Sequence, residues 1–387
     1  MNTIEVKDLT KVFDKGVKAV NGITFTVNKG EILGFLGPNG AGKTTTLNML
    51  STLLKPTSGT ARINGKDVQK EADAVRRSIG YVFQDTTLDI ELTGRENLDF
   101  HGRLYGLDKI TREDRITEVL ELVKLSDRAD SLVKTYSGGM KRRLEIARGL
   151  LHHPEVLFLD EPTLGLDPQT RRSIWEHILR LNEEKKITVI LTTHYTEEAD
   201  FLCNQILIID FGKVVVLDTP ENLKATLKGD VVSLTVKDTN TIDKLRVQLE
   251  NKEWVHKINI VASGNNYAAM SRMMHTNSDN PNETKFQNES EEDKTNQREK
   301  NLQFDGETCP RCLNLLLDNG GHRIPEIVKL AVDMEIILES VELRKPTLDD
   351  VFLSVTGRNI REQEGSLMDM LRRHRIMRQA RGKPVRG

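Results

Sequence analysis

Residues 31–36 read Glu-Ile-Leu-Gly-Phe-Leu, apolar on both sides of the alternation, and the run then breaks into glycines. A stretch of that length and make-up predicts a strand buried on both faces, as in a parallel sheet. Residues 156–159 and 188–192 repeat the pattern. The Gly-rich segment after the first strand leads into residues 43–54, which read as a helix. From about 93 to 150 strand patterns vanish and Leu, Glu, Arg and Lys dominate. This predicts a helical insertion, in which Met140, Leu144, Ala147 and Leu151 share one face.

Pro220 marks a boundary. Beyond it the pattern predicts a strand at 231–236, a helix at 241–250 and a strand at 255–261. Residues 275–303 are mostly Asn, Glu, Asp, Lys, Gln and Ser, too polar to bury a core, and read as disordered. Order is expected to resume near Leu313, with a helix at 324–332, a strand-like run at 335–343 and a short helix at 347–355. Thr347 is the N-cap of that last helix, with Asp350 at its third position. The organisation expected is an α/β domain at 1–220 and a small α+β domain from 221–262 and 313–357. A largely disordered insertion at 263–312 interrupts the second domain, and a basic tail follows at 358–387.

Composition narrows the class. The 387 residues suffice for about two domains. A net charge of −2 gives no reason to expect a nucleic acid partner. No run approaches the roughly 20 apolar residues that span a bilayer, and residues 1–9 lack the apolar core of a signal peptide. Three cysteines make no disulfide framework, which fits a reducing cytoplasm. If the protein moves something across a membrane, another chain must form the path.

The chemistry starts at Gly37-Pro38-Asn39-Gly40-Ala41-Gly42-Lys43-Thr44, which fits the phosphate-binding pattern G-x-x-x-x-G-K-[ST]. Its glycines let successive N–H groups face a phosphate, and the following helix adds its positive end. Lys43 would reach the β- and γ-phosphates, and the Thr44 hydroxyl would hold Mg²⁺. The strand at 156–159 delivers Asp160 and Glu161 to its tip. Asp160 is placed to bind Mg²⁺ through water, and Glu161 to polarise an attacking water. Ser137, before Gly138 and Gly139, reads as the N-cap of a helix, whose N-terminus is also an anion site.

Tyr136-Ser-Gly-Gly-Met140 resembles the signature sequence of ABC (ATP-binding cassette) ATPases, usually Leu-Ser-Gly-Gly-Gln. Other elements of that family fall in order: Gln84 at the Q-loop, Gly165-Leu-Asp167-Pro168 at the D-loop and His194 at the switch. Phe13 stands where the family's adenine-stacking aromatic lies. The resemblance covers about the first 220 residues. It implies a P-loop NTPase core with a helical subdomain at about 93–150, and an ATPase using ATP and Mg²⁺. By the same resemblance Glu161, His194 and Gln84 are catalytic, and Thr44, Gln84 and Asp160 bind Mg²⁺. The nucleotide is contacted by Phe13, residues 37–45 including Thr45, and by Ser137, Gly138, Gly139 and Asp167. Two cassettes, identical or paralogous, are expected to pair head to tail and share two ATP sites. Residues 339–358 resemble the C-terminal region of daunorubicin-resistance-type ATPases. That implies a separate ABC-2-type integral membrane permease, export of a drug or lipid, and peripheral attachment at the cytoplasmic face of the cell membrane. The alternative is a soluble ABC ATPase acting on nucleic acid or ribosomes. Met140, Tyr136 and Phe13 depart from the family's usual Gln, Leu and Tyr, while Ser137 and both glycines are intact.

Two weaker signals remain. Cys309-Pro-Arg-Cys312 has the spacing of half a zinc site, with His322 nearby, but reads better as two reduced thiols. Residues 366–381 pattern as a basic amphipathic helix for a membrane surface or partner, or as a solvated tail.

Overall fold

Two long antiparallel strands, β1 (Asn2–Val12) and β2 (Lys18–Asn28), open the structure. It is a computed structural model describing residues 2–262 and 310–357. The fully buried β3 (Ile32–Leu36) leads through the Gly-rich loop into α1 (Lys43–Leu50). Then come β4 (Ser58–Ile63), β5 (Lys66–Asp67), α2 (Ala72–Ser78) and β6 (Ile79–Val82). The helical insertion is α3 (Gly94–Leu104), α4 (Lys109–Leu122) and α5 (Gly138–Leu150). Each of its helices starts on a side-chain cap: Thr93 with Glu96, Asp108 and Ser137. The core resumes with β7 (Val156–Asp160), α6 (Pro168–Lys185), β8 (Thr188–Thr193), α7 (Thr196–Leu202), β9 (Gln205–Asp210), β10 (Lys213–Asp218) and α8 (Pro220–Ala225).

These strands form two sheets, one ordered β2-β1-β4-β5 and one ordered β10-β9-β3-β8-β7-β6. Ile4, Phe25, Phe35, Leu47, Met49 and Phe158 close one core between them, and α1 contributes Leu47 and Met49 to it. In the second sheet β9, β3, β8, β7 and β6 run parallel. Asp160 pairs in register with Thr192, and Leu36 with Thr193. The residues that follow these strands therefore meet along one edge, where parallel α/β sheets hold ligands.

The second unit spans residues 227–346. It is β11 (Asp230–Val236), α9 (Ile242–Glu250), β12 (Val255–Ala262), β13 (Pro310–Leu317), α10 (Gly320–Asp333) and β14 (Leu338–Arg344). All pairings in its β12-β13-β11-β14 sheet are antiparallel. Strand-helix-strand, strand-helix-strand with that order is the split βαβ arrangement of ferredoxin-like domains. Leu234, Leu245, Leu315 and Ile327 lie in its own core.

Several expectations need correction. Helix α1 stops at Leu50, because Thr52 takes a left-handed conformation (φ 69°) and the Ser51 hydroxyl bonds the Asn48 carbonyl. Strand β13 begins at Pro310, so residues 310–312 belong to the sheet. Helix α10 starts earlier, at Gly320, whose N–H donates to Asp230, and β14 later, because Glu335 (φ 56°) turns the chain. The final helix, α11 (Leu348–Thr356), groups with the first unit, as does α8. Its Leu348, Val351 and Phe352 are buried, and Asp349 accepts a 2.9 Å hydrogen bond from Thr196. The Thr347–Asp350 cap forms as expected. Residues 263–309 and 358–387, including the polar insertion, Cys309 and the basic tail, lie outside the described residues.

Candidate functional site

The loop between β3 and α1 is shaped by its glycines. Gly42 sits at φ 105°, where a Cβ would lie 2.4 Å from the Ala19 carbonyl; at Gly37 a Cβ would meet the Ile209 carbonyl at 2.3 Å. Pro38 and Ala41 are buried, while Asn39, Gly40 and Thr44 are exposed and Thr45 is half-buried. The buried Lys43 ammonium donates to the Gly37 and Pro38 carbonyls (2.6 and 3.2 Å). This holds the loop's cation where a phosphate oxygen would replace those carbonyls as its acceptor.

The tip of β7 brings two carboxylates beside that lysine. Asp160 accepts from the hydroxyls of Thr44 (3.1 Å) and Thr192 (2.5 Å). Burial pushes the Asp160 carboxyl up, and those two hydrogen bonds oppose it. Glu161 has φ 45°, a left-handed conformation that is strained for a side chain of its kind. Its N–H donates to Thr192, at 3.0 Å to the hydroxyl and 3.2 Å to the carbonyl. One carboxyl oxygen lies 3.6 Å from Lys43 Nζ, the other 3.2 Å from His194 Nδ1. Burial alone would raise the Glu161 carboxyl, but the His194 hydrogen bond and the Lys43 charge outweigh it and hold it below its ordinary value. Lys43, Thr44, Asp160, Glu161 and His194 thus form one cluster, all but Thr44 within buried positions. A Thr hydroxyl beside a carboxylate is the hard-oxygen donor set that suits Mg²⁺.

The remaining residues stand apart from that cluster. Ser137 is exposed and caps α5, its hydroxyl accepting from Met140 N–H at 3.2 Å. Asp167 is exposed and caps α6, accepting from Thr170 N–H at 2.9 Å. Gly139 packs against Thr170 so closely that a Cβ would come 2.4 Å from its methyl, so these two helix starts belong together. No hydrogen bond among the described residues ties 137–139 to the phosphate loop of the same chain. Gln84 is exposed in the loop after β6 and is not bonded to Thr44, Asp160 or Glu161. Phe13 closes a turn at the end of β1 (Phe13 N–H to the Val17 carbonyl, 2.9 Å), with its ring 43% exposed.

Tyr136, where the family usually carries leucine, points away from this chemistry. It is buried, and its hydroxyl donates to the Arg128 carbonyl at 2.6 Å, filling the space over Gly94. Cys312 lies in β13 with its sulfur 3.4 Å from the Thr235 hydroxyl, and Cys309 is outside the described residues. Among the described residues no cluster of metal-ligating side chains forms.

Sequence reasoning missed Thr192 and Glu198 here. Thr192 bridges Asp160 and Glu161, and its only signal is its place two residues before His194. Glu198 is fully buried and accepts from Thr163 (2.8 Å) and Trp175 (2.9 Å), joining α7 to the loop after Glu161. Burial raises its carboxyl against those hydrogen bonds.

Comparisons agree with this geometry. The family model described as "ABC transporter" matches residues 20–164. The daunorubicin/doxorubicin resistance ATP-binding protein of Streptomyces peucetius is 46% identical over 238 residues, 62% of this chain and 72% of that one. A daunorubicin resistance ATP-binding protein of Streptomyces coeruleorubidus is 36% identical over 349 residues, 90% of this chain and 94% of that one, so the likeness runs through the second unit. The dimeric post-hydrolysis structure of an ATP-binding cassette bound to ADP and phosphate is similar with TM-score 0.51 and 30% identity. That match covers 56% of this chain and 98% of the other.

Proposed function

This chain belongs to the ABC transporter ATP-binding proteins, of the daunorubicin-resistance type. From that premise we propose that it hydrolyses Mg²⁺-ATP to drive export of a drug, lipid or similar small molecule through a separate ABC-2-type membrane subunit. The observation that carries the proposal is the buried contact of Glu161 with both Lys43 and His194, one residue beyond Asp160.

The residues divide the work. The N–H groups of the loop 37–45, Pro38 excepted, and the Lys43 ammonium would grip the β- and γ-phosphates, and the exposed Phe13 ring would cover the adenine. Thr44, Asp160 and Gln84 would hold Mg²⁺, which supplies positive charge to the phosphate oxygens when bound. Glu161, kept anionic by its neighbours, would take a proton from the attacking water as its oxygen bonds to the γ-phosphorus and the bond to ADP breaks. His194 orients Glu161 and would reach the γ-phosphate.

Ser137 and Gly138 sit exposed at a helix N-terminus with Gly139 buried behind them, and none of the three is bonded to its own phosphate loop. This supports a second cassette, identical or paralogous, whose ATP they close over, with Asp167 at the shared boundary. Among the described residues no helix is long and apolar enough to cross a membrane, in keeping with peripheral attachment to the cytoplasmic side of a permease.

Glu161→Gln is expected to bind ATP with near wild-type affinity, to lose turnover, and to accumulate as an ATP-bound dimer in size-exclusion chromatography. Normal turnover by that variant would remove Glu161 from the role of base.

A further inference from the structure

Arg142 lies on the second turn of α5, in the run Lys141-Arg142-Arg143. Unlike an ordinary surface arginine it is only 7% exposed. A guanidinium has five N–H donors in a fixed plane, and every one of them is used here. Nε donates to the Pro162 carbonyl (2.6 Å). Nη1 donates to the Phe83 carbonyl (2.6 Å) and to Glu145 (3.0 Å). Nη2 donates to the carbonyls of Asp160 (3.1 Å) and Glu161 (3.2 Å). Glu145, 1% exposed, balances the charge, and its second oxygen accepts from the Thr87 N–H at 2.9 Å. Arg148, one turn on, donates to the Thr87 carbonyl at 3.1 Å.

We infer that Arg142 is a positioning residue that fixes two loops of the ATPase site at once: residues 160–162, which carry Glu161, and residues 83–87, which carry Gln84. Three features argue for this over a generic buried ion pair. Its targets are the consecutive backbone carbonyls of residues 160–162 around Glu161, the one non-glycine residue of the site held at positive φ, and such strain persists only where the surroundings over-determine it. The same group bonds the carbonyl just before Gln84. Finally, Arg142 shares a rigid helix with Ser137, so a displacement of that helix start moves Arg142 with it. Resting on the shared-site reading above, a cassette that clasps its partner's ATP through Ser137 thereby adjusts its own Glu161.

The test uses full-length Arg142→Lys. It keeps a charge beside Glu145, but three donors cannot serve four carbonyls and a carboxylate. Expected is a fall in kcat of about 10- to 100-fold, the scale set by a slight misplacement of a reacting group. Affinity for a non-hydrolysable ATP analogue should stay near wild type, while Tm falls because buried carbonyls lose their donors. A second variant, Arg142→Met with Glu145→Met, removes the pair together and so avoids a stranded buried charge. It should show the same kcat loss at retained ATP affinity. Wild-type kcat in either folded variant overturns the inference. So does a kcat loss matched by an equal loss of ATP affinity, which marks a merely structural pair. Placing Glu161→Gln in the Arg142→Lys background separates this from the shared-site reading. An ATP-trapped dimer there keeps that reading, whatever kcat says of Arg142.

Discussion

Replacing Thr192 by valine deletes one hydroxyl at the tip of β8 and leaves the shape almost unchanged. That hydroxyl donates to Asp160 and accepts from the Glu161 N–H. The bond to a carboxylate is worth roughly 1.5–3 kcal/mol. The Glu161 N–H keeps the Thr192 carbonyl at 3.2 Å, so its loss is small. The expected destabilisation is about 2–3 kcal/mol, which lowers Tm by about 5–10 °C for a unit of this size. The deficit should depend on pH. Burial already raises the Asp160 carboxyl, and the Thr192 bond is what pulls it down. Without the bond its folded pKa rises further. A carboxyl raised above its unfolded value loses stability as pH climbs through the folded pKa, so the deficit is larger at pH 8 than at pH 5. Turnover should also fall, because this hydroxyl links the Asp160 carboxylate to the Glu161 N–H. Urea unfolding at both pH values and steady-state phosphate release measure these effects. Thr192→Ser, which keeps the hydroxyl and loses a methyl, should stay within about 1 kcal/mol of wild type. If Thr192→Val matches Thr192→Ser in stability at pH 8 and in turnover, the bridging role is wrong.

Gly42→Ala should lose ATP binding and stability together, because its Cβ meets the Ala19 carbonyl and its φ is positive; calorimetric titration with ATP checks this. Tyr136→Leu should cost about 1 kcal/mol by abandoning the Arg128 carbonyl, seen as a small fall in Tm, with turnover kept near wild type. The Glu161 carboxyl is held below its ordinary 4.5, so its contacts stabilise the fold above that pH and lose that effect as pH falls through the lowered value. The Tm advantage of wild type over Glu161→Gln should therefore be present at pH 7 and shrink towards pH 4.

Much of the site is legible in the sequence because its parts are local. The phosphate loop, Asp160, Glu161 and His194 each follow an apolar strand, and parallel register brings the ends of those strands together. Ser137 is equally readable as a helix cap, whereas Asp167 is read through the family resemblance and its cap on α6 appears only in the structure. What escapes is long-range. Arg142 sits in a run of basic residues that reads as a solvated face, and only the fold turns it inward. Glu198, beside Glu197 at a helix start, looks like an exposed acid favouring the dipole, yet Thr163 and Trp175 enclose it. Helix α11 follows the second unit in sequence, but its apolar face finds burial in the first. The strand order of the second unit is hidden because a long polar segment separates β12 from β13, strands that pair directly.

The central claim, that each ATP is gripped by two chains, is tested most directly by mixing two inactive variants. Lys43→Ala disables a chain's own phosphate loop, and Ser137→Arg blocks the helix start it would lend to its partner. Each alone should be inactive. Random pairing of equal amounts makes half the dimers mixed, each with one intact site of two, so phosphate release should return to roughly a quarter of wild type. No recovery on mixing, or full activity in Ser137→Arg alone, would contradict a site built from both chains.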